Sequence, residues 1–444
     1  MDSSSERSSA INIVFVLFIA GGVLFAGFTG HMHDITDASF ESAKSAVSLA
    51  ISLIGIMAFW LGMVRVLEAG GLMYSIARAV RPLMVRLFPD VPADHPAMSA
   101  MILNMSANML GLGNAATPLG IKAMVELNKL NPIPGTATNA MCLFLAINTS
   151  SVTLLPLGVI GVRAAAGAAQ PAAIFLPTLA ATIISTLVGV CAALTLALRD
   201  KAYQPPKRRS SASADEEIEL VVEQEDFSHL RTGQHSLHPY LGWSLIILFG
   251  AAAGYRAMLA QDLLDFLINE LMTFWLMPAL MLLIIAYGVA RGVKIYEAVT
   301  EGAKQGFDIA VRIIPFLVAI LVAIAMFRAS GAMALLAGLL NPITGIIFMP
   351  ADVLPMALVR PLSGSGAFGI MSDLVAQDPN SYSAYLASTM QGSTETTFYV
   401  LAVYFGAVGI TRIRHALVAA LLADFAGIIA SCLMCRLLWS GAGS

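Results

Sequence analysis

Long apolar runs separated by short polar stretches make up most of this chain, and they predict an all-α polytopic membrane protein. About 20 apolar residues are enough for a helix to cross the hydrocarbon core of a bilayer. The clearest runs are Ile11–Gly30, Val47–Val66, Ala140–Val162, Ala172–Leu198, Tyr240–Ala257, Phe274–Ala290, Ile309–Phe327, Leu386–Gly406 and Ala416–Leu438.

A charged stretch, residues 199–238, interrupts this pattern and divides the chain. It is rich in Ser, Glu and basic residues, a composition typical of a solvated, flexible linker. The predicted organisation is therefore a membrane unit at 1–198, a cytoplasmic linker at 199–238 and a second membrane unit at 239–444.

The two membrane units resemble each other in sequence. The tetrapeptide ESAK at 41–44 recurs as EGAK at 301–304, an offset of 260 positions. Further matches are Gly71 with Gly331, Pro82 with Pro342, and NTSSVT at 148–153 with GSTETT at 392–397. Blocks that match in the same order indicate an internal duplication, which is a common plan for transporters.

The distribution of Lys and Arg predicts the orientation in the membrane. Basic residues concentrate in short cytoplasmic loops of membrane proteins. Placing the basic loops and the linker in the cytoplasm puts the N-terminus inside and the acidic loop at 31–41 outside, in a bacterial plasma (inner) membrane. Five crossings then separate the two ESAK-type motifs. Because this number is odd, the repeats should have inverted topology.

Two polar, glycine-rich stretches are too interrupted to cross the membrane. We predict re-entrant helical hairpins there, with arms at 97–110 and 115–127 in the first unit and at 352–362 and 367–376 in the second. Non-helical backbone at membrane depth is tolerated only inside protein or against a watery cavity. The hairpins should therefore meet at a polar site in the centre of the protein.

Polar side chains of these hairpins and of two further spans are the candidate site residues. The predicted solute-binding residues are Asn104, Asn108, Asn114, Ser150, Arg360, Ser363, Ser365, Thr394 and Glu395. Glu395 and Asp424 are the candidates for binding a coupling ion, because an ionisable group within a span is costly and marks function by default. Helix packing is the alternative role for the hydroxyl residues, and a salt bridge to Asp373 or Glu395 is the alternative for Arg360.

Composition narrows the classes of function. The chain is 58% hydrophobic and 12% charged, with a mean hydropathy of +0.79. The net charge of −3 gives no reason to expect nucleic acid as a partner. The sequence contains no Walker loop, HExxH or GxSxG. We therefore expect no enzyme activity, cofactor or metal, although His31, His33 and Asp34 remain an alternative metal site.

The motifs also resemble a known family. LNMSANMLGLGNAATPLGIKAM at 103–124 resembles the signature of spore maturation protein A, and RPLSGSGAFGIMSD at 360–373 with STMQGSTETTFYVLAVYFGAVG at 388–409 resembles that of spore maturation protein B. Both are similar to the wider nucleoside recognition (Gate) group, which includes concentrative nucleoside transporters. The resemblance implies a nucleoside-transporter-like fold with inverted repeats, re-entrant hairpins and a central solute site.

Two functional hypotheses follow from the sequence. The first is a secondary transporter of a small polar solute, with a nucleoside-like molecule among the candidates, that works by alternating access. The alternative is a non-transporting membrane factor of the spore-maturation type, acting in envelope or assembly processes. The expected partners are the solute and the lipid bilayer, and a homo-oligomer is an open alternative.

Overall fold

The computed structural model describes residues 10–111, 116–200, 227–231, 238–260 and 275–439. Its regular elements are helices, and no strand occurs within these ranges. The α-helices are α1 (Ala10–Thr29), α2 (Met32–Ala69), α3 (Leu72–Leu87), α4 (Pro96–Met109), α5 (Thr117–Lys129), α6 (Asn139–Ser150), α7 (Leu157–Ala165), α8 (Phe175–Arg199), α9 (His238–Leu259), α10 (Leu276–Ala290), α11 (Ile295–Ala329), α12 (Ala332–Thr344), α13 (Leu354–Val359), α14 (Gly364–Gln377), α15 (Tyr382–Ser393), α16 (Thr397–Gly406) and α17 (Ala416–Leu438). Short 3-10 turns occur at Pro171–Ile174 and Phe227–Leu230.

The predicted all-α polytopic membrane fold is confirmed. Among the described residues, three helices are long and apolar enough to cross a membrane unaided: Pro171–Arg199, Pro239–Leu259 and Ala416–Leu438. A bent pair, Leu317–Ala329 with Ala332–Leu340, makes a fourth if it is one span. Shorter apolar helices occur at Phe15–Thr29, Asn139–Ser150 and Pro278–Ala290.

Two of the predicted continuous spans are wrong, because each is a broken helix. The run Ala140–Val162 is divided between α6, which ends at Ser150, and α7, which begins at Leu157. The run Leu386–Gly406 is divided between α15, which ends at Ser393, and α16, which begins at Thr397. Ser and Thr side chains compete for backbone hydrogen bonds and so favour non-helical conformations. The Ser/Thr-rich sequences at 149–151 and 393–397 therefore interrupt helices that hydropathy alone would continue.

The sequence matches between the two units correspond to matching local structures. A long helix (α2 or α11) is followed by a glycine in the left-handed region, Gly71 (φ 79°) or Gly331 (φ 86°). A helix with an internal proline follows, at Pro82 in α3 and at Pro342 in α12. A positive φ favours glycine because a Cβ is strained there. The breaks after Ser150 and Ser393 also fall within one position of each other in the two blocks.

The two long helices α2 and α11 pack against each other antiparallel. Near one end, Arg65 of α2 contacts Glu301 of α11, with 2.5 Å between Nη2 and Oε1. Near the other end, Glu41 of α2 and Arg328 of α11 line one cleft. Equivalent helices that run antiparallel are related by a two-fold axis perpendicular to them, which is the arrangement that inverted repeats require.

Both hairpins lie where the sequence predicted them. The first consists of α4 and α5, which pack together. The second consists of α13 and α14, and its first arm is shorter than expected, at Leu354–Val359. Residues 112–115, at the tip of the first hairpin, lie outside the described residues.

The prediction of a solvated linker is wrong for residues 227–231, which we call the strap. His229 Nε2 lies 2.9 Å from Glu301 Oε2, and Arg231 Nε donates a 2.8 Å hydrogen bond to the carbonyl of Ala69. Leu230 is 2% exposed, and its carbonyl accepts from the backbone N–H of Lys294. An apolar residue flanked by hydrogen-bonding groups can dock on a helix pair even within a charged linker, so composition alone missed the strap.

The close approach of α2 and α11 gives a stability prediction. A Cβ at Gly302 would lie 2.6 Å from the carbonyl oxygen of Leu61, and a Cβ at Gly62 would lie 2.6 Å from that of Val299. Overpacking of this kind typically costs about 1–3 kcal/mol. We expect Gly62→Ala and Gly302→Ala to lower the thermal unfolding midpoint of the purified protein.

Gly338→Ala in α12 is the matched control, since a Cβ there meets nothing within 4 Å. It should leave the midpoint unchanged or raise it slightly, because alanine is the better helix former. Equal midpoints for all three variants would contradict the tight α2–α11 contact.

Candidate functional site

The two broken helices meet and bond to each other at their breaks. The backbone N–H of Glu395 donates to the carbonyl of Thr149, with an N···O distance of 2.6 Å. Ser151 follows α6 with a φ of 27°, a strained conformation for a residue with a Cβ. Strain of this kind persists only where the surroundings fix it, and it is concentrated at functional sites.

The carbonyls exposed at the end of α6 are bonded by a side chain of α8. The Thr182 hydroxyl lies 3.0 Å from the carbonyl of Ser150 and 2.5 Å from that of Ser151. Thr182 is fully buried. Backbone groups in lipid must find partners within the protein, so this hydroxyl allows α6 to end at membrane depth.

Arg360 is the buried cation of the site. It directly follows α13 and is 2% exposed. Its Nη1 donates to the Thr396 hydroxyl and its Nη2 to the carbonyl of Gln391, both at 3.2 Å. Nη2 lies 3.9 Å from the Glu395 carboxylate. Of the two acids named as alternative partners of Arg360, the structure places Glu395 beside it, whereas Asp373 accepts from Gln377.

The two acidic residues of the site differ in access to solvent. The Glu395 side chain is 38% exposed, whereas Asp424 is 2% exposed. Asp424 Oδ2 accepts a 2.6 Å hydrogen bond from Thr397, and its Oδ1 has no partner among the described residues. Glu395 is therefore partly accessible, whereas Asp424 is buried.

A second polar cluster lies on the other side of the breaks and consists of amides. Asn108 Nδ2 donates to Asn148 Oδ1 at 3.0 Å. Tyr404 of α16 donates its hydroxyl to the same oxygen at 3.3 Å and accepts from Asn104 Nδ2 at 3.3 Å. Asn104 also bonds the carbonyl of Ala116 at the start of α5. Through Asn148 and its neighbour Thr149, this cluster adjoins Glu395.

Two helix N-termini lie beside the charged residues. A Cβ at Gly364, the first residue of α14, would lie 2.8 Å from the Thr396 hydroxyl oxygen and 3.8 Å from Arg360 Nη1. Thr396 in turn precedes α16. Helix N-termini carry partial positive charge. The site therefore combines a buried guanidinium and two positive helix ends with an accessible carboxylate and a set of amides.

The structure places some of the predicted site residues at the breaks and others elsewhere. The structure brings together Asn104, Asn108, Arg360, Glu395 and Asp424 around the two breaks. Ser363 caps α14, accepting from the N–H of Gly366 at 3.0 Å. Ser150 donates within its own helix to Ile147, and the Thr394 methyl group faces Gly427. Ser365 lies in the first turn of α14, and Asn114 lies outside the described residues.

Several residues of the site were not selected from the sequence. They are Asn148, Thr182, Gln391, Thr396, Thr397 and Tyr404. Asn148 and the three residues at 391–397 lie in the polar stretches that sequence analysis noted, so the selection there was too narrow. Tyr404 and Thr182 gave no signal, because each lies within a long apolar run and only the packing of helices brings it to the site.

Metal ligands are not grouped in the described part of the chain. No cluster of three or more His, Cys, Asp or Glu residues occurs there. The alternative site near His31 consists of two local pairs, His31 with Asp34 and His33 with Asp37. Cys432 and Cys435 are buried in an apolar core.

Comparisons with known proteins match this architecture. The family model described as "Nucleoside recognition" (Gate) matches residues 50–166 and 310–411. Each matched segment contains one hairpin and one broken helix. No solved structure matches the chain.

Two curated relatives each match a part of the chain. Spore maturation protein A of Bacillus subtilis is 44% identical over 180 residues, which is 40% of this chain and 92% of the relative. Spore maturation protein B of the same organism is 49% identical over 173 residues, which is 38% of this chain and 97% of the relative. The chain therefore belongs to the spore maturation protein A and B families, joined in one polypeptide, within the nucleoside recognition (Gate) group.

Proposed function

We propose that this protein is a secondary transporter of a small polar solute, with the two broken helices forming the transport site. The observation that carries the proposal is the position of Glu395. Its backbone bonds the opposite break at Thr149, its carboxylate lies beside Arg360, and its side chain remains 38% exposed. Transporters of inverted-repeat type bind solute and coupling ion at such discontinuous helices.

The side chains at the breaks suit a neutral or zwitterionic solute with several hydrogen-bonding groups. Asn108, Asn148 and Tyr404 offer donors and acceptors on one side, and Glu395 with Arg360 offers charge on the other. A nucleoside presents a base edge and ribose hydroxyls that match both sets. The description of the matched domain as nucleoside recognition supports a nucleoside as the first solute to test.

Alternating access follows from the repeat. The antiparallel packing of α2 and α11 relates the two units by an axis perpendicular to the helices. A movement of one unit that opens the site to one side of the membrane then has an equivalent movement of the other unit that opens the site to the opposite side. In this proposal the hairpins move relative to the broken helices, and Glu395 binds the coupling H⁺ or Na⁺, with Asp424 as the second carboxylate.

The proposed location is a bacterial plasma membrane with the N-terminus and linker in the cytoplasm. Two observations support this orientation. Arg414 pairs with Asp200 at 2.7 Å. Both residues lie at helix ends that the basic-residue rule assigns to the cytoplasm. The strap, which belongs to the linker, contacts Arg65 and Glu301 at the same end of α2 and α11.

The alternative is a non-transporting membrane factor, and the names of the two relatives support it. In that case the breaks serve only to hold the fold, and partner proteins act on the loops or the linker. The two roles differ in whether the site binds a solute, and the experiments below separate them.

One prediction of the transport proposal concerns the coupling ion. A coupling free energy of about 1–3 kcal/mol changes solute affinity by roughly 5–150-fold. We expect nucleoside uptake into proteoliposomes to depend on pH or on sodium, and Glu395→Gln to abolish that dependence because the variant cannot bind the cation.

Glu297→Gln is the matched control, since Glu297 is an exposed carboxylate near the start of α11. It should retain the dependence of the wild type. Uptake by Glu395→Gln that responds to pH and sodium as the wild type does would remove Glu395 from the coupling role.

Another prediction of the transport proposal concerns solute binding by the amide cluster. A ligand at about 100 times its Kd stabilises a protein by about 2.7 kcal/mol. We expect a solute from a panel of nucleosides, nucleobases and amino acids to raise the unfolding midpoint, and Asn108→Ala to cancel the shift by removing the Asn148 contact.

Asn380→Ala, in an exposed loop, is the control and should keep the shift. A panel without any stabilising solute, tested on folded wild-type protein, would favour the non-transporting alternative. A shift that survives Asn108→Ala would place the solute elsewhere in the protein.

A further inference from the structure

One helix of the first unit, α3, has a basic face without acidic partners. Its arginines Arg78, Arg81 and Arg86 are all exposed, and the helix contains no Asp or Glu. Ala77 and Met84, on the other side of the helix, are buried in a core shared with the first hairpin. Among the described residues, none of the three arginines has a hydrogen bond or an ion pair. We call these three residues the arginine face.

The strap brings a fourth guanidinium to the start of α3. Arg231 is exposed, and its Nη2 would lie 3.3 Å from a Cβ placed at Gly71, the residue before α3. Its Nε is held by the carbonyl of Ala69. Positive charge therefore extends from the start of α3 to its last turn, which is about 22 Å along a helix.

The internal repeat shows what this side of the helix contacts. At the offset of 260, α3 corresponds to α12, and both helices expose the same side. Positions 75, 78, 79 and 82 of α3 are exposed, as are positions 335, 338, 339 and 342 of α12. In α12, Leu335 and Leu339 are 54% and 70% exposed. Lipid chains are as apolar as leucine, so this side of α12 faces the bilayer, and the equivalent side of α3 does the same.

The two helices lie across the long helices that precede them. α12 is bent by 79° from the end of α11, directly after Gly331 with its φ of 86°. Gly71 has the matching φ of 79° before α3. An amphipathic helix that leaves a span in this way lies along the membrane surface. Its basic side chains there reach lipid phosphates, and its apolar ones reach the boundary of the acyl chains.

The charge of this face differs between the two units. The arginine face corresponds to neutral positions at α12 and just after it, namely Gly338, Asn341 and Ile346, and α12 contains no charged residue. Inverted repeats place α3 and α12 on opposite sides of the membrane. The basic helix is then on the proposed cytoplasmic side, where the leaflet carries anionic lipids.

Acidic segments of the chain itself are the competing occupants of the arginine face. Segments 1–9, 201–226 and 261–274 lie outside the described residues and contain acidic residues, most densely in DEEIELVVEQED at 215–226. To cover the arginine face, any of them would have to lie between α3 and the bilayer that the repeat places against it. Leu83, which is 55% exposed beside the arginines, also fits contact with lipid. Phospholipid is therefore the favoured occupant.

We propose that α3 is a docking surface for anionic phospholipid headgroups of the bilayer. Arg78, Arg81 and Arg86 bind the headgroup phosphates, and Leu83 contacts the adjoining acyl chains. The surface is separate from the site at Glu395 and requires no transport of a solute.

The test is a lipid titration of the full-length protein in detergent, followed by native mass spectrometry, which resolves each bound lipid. The probes are phosphatidylglycerol and phosphatidylcholine with the same acyl chains. A basic residue near an anionic membrane surface contributes about fivefold in affinity. We therefore expect wild-type protein to bind phosphatidylglycerol at least about tenfold more tightly than phosphatidylcholine. Added salt should reduce this preference, because it screens exposed charges.

The triple variant Arg78→Gln, Arg81→Gln and Arg86→Gln should bind the two lipids equally. All three side chains are exposed, and substitutions at such positions change stability little. The unfolding midpoint without added lipid should therefore equal that of the wild type, which checks that the variant is folded.

A second triple variant, Lys44→Gln with Lys304→Gln and Arg412→Gln, is the matched control. It removes the same charge from three exposed positions on other parts of the surface. It should keep the preference for phosphatidylglycerol. An equal loss in both triple variants would mean that net charge, and not α3, attracts the lipid, and would overturn the proposal.

Three further results would also overturn it. The first is equal binding of the two lipids by wild-type protein, and the second is a preference that survives in the arginine variant. The third is a preference that appears only after the acidic residues at 215–226 are replaced by amides, which would make that segment the occupant. None of these results bears on solute binding at Glu395, so the transport proposal is tested separately.

Discussion

The fold depends on one constraint: backbone groups released by a broken helix inside a membrane must be bonded by the protein itself. This chain breaks two helices at equivalent positions and lets the breaks satisfy each other. The Glu395 N–H bonds the Thr149 carbonyl at 2.6 Å, and Thr182 bonds the carbonyls of Ser150 and Ser151. Polar side chains are therefore needed at the centre for structural reasons.

Equivalent backbones carry different chemistry at the two breaks. At the offset of 244, Ser151 corresponds to Glu395, and Asn148 corresponds to Gly392. The first unit therefore contributes amides and the second contributes charge. Because the breaks adjoin, the amide cluster lies next to the charged residues. The duplication supplies the geometry, and divergence of a few residues makes the site asymmetric.

The helix pair α2–α11 shows the same principle at its two ends. One end is closed by the chain's own strap on Glu301 and Ala69, and the equivalent end is open at Glu41 and Ala329. The close approach at Gly62 and Gly302 holds the pair together between them. The linker thus joins the two units and also binds across the helix pair that they share.

The sequence by itself determined the membrane class, the duplication and both hairpins, because apolar runs, matched motifs and glycine-rich stretches are local signals. It also identified Asn108, Arg360 and Glu395, since polar groups in apolar surroundings stand out. Tertiary structure alone decided that α6 and α15 break, that Tyr404 and Thr182 face the site, and that residues 227–231 dock on the fold. Each of these depends on which partner a backbone group or side chain contacts across the fold. Hydropathy along the chain does not predict such long-range partners.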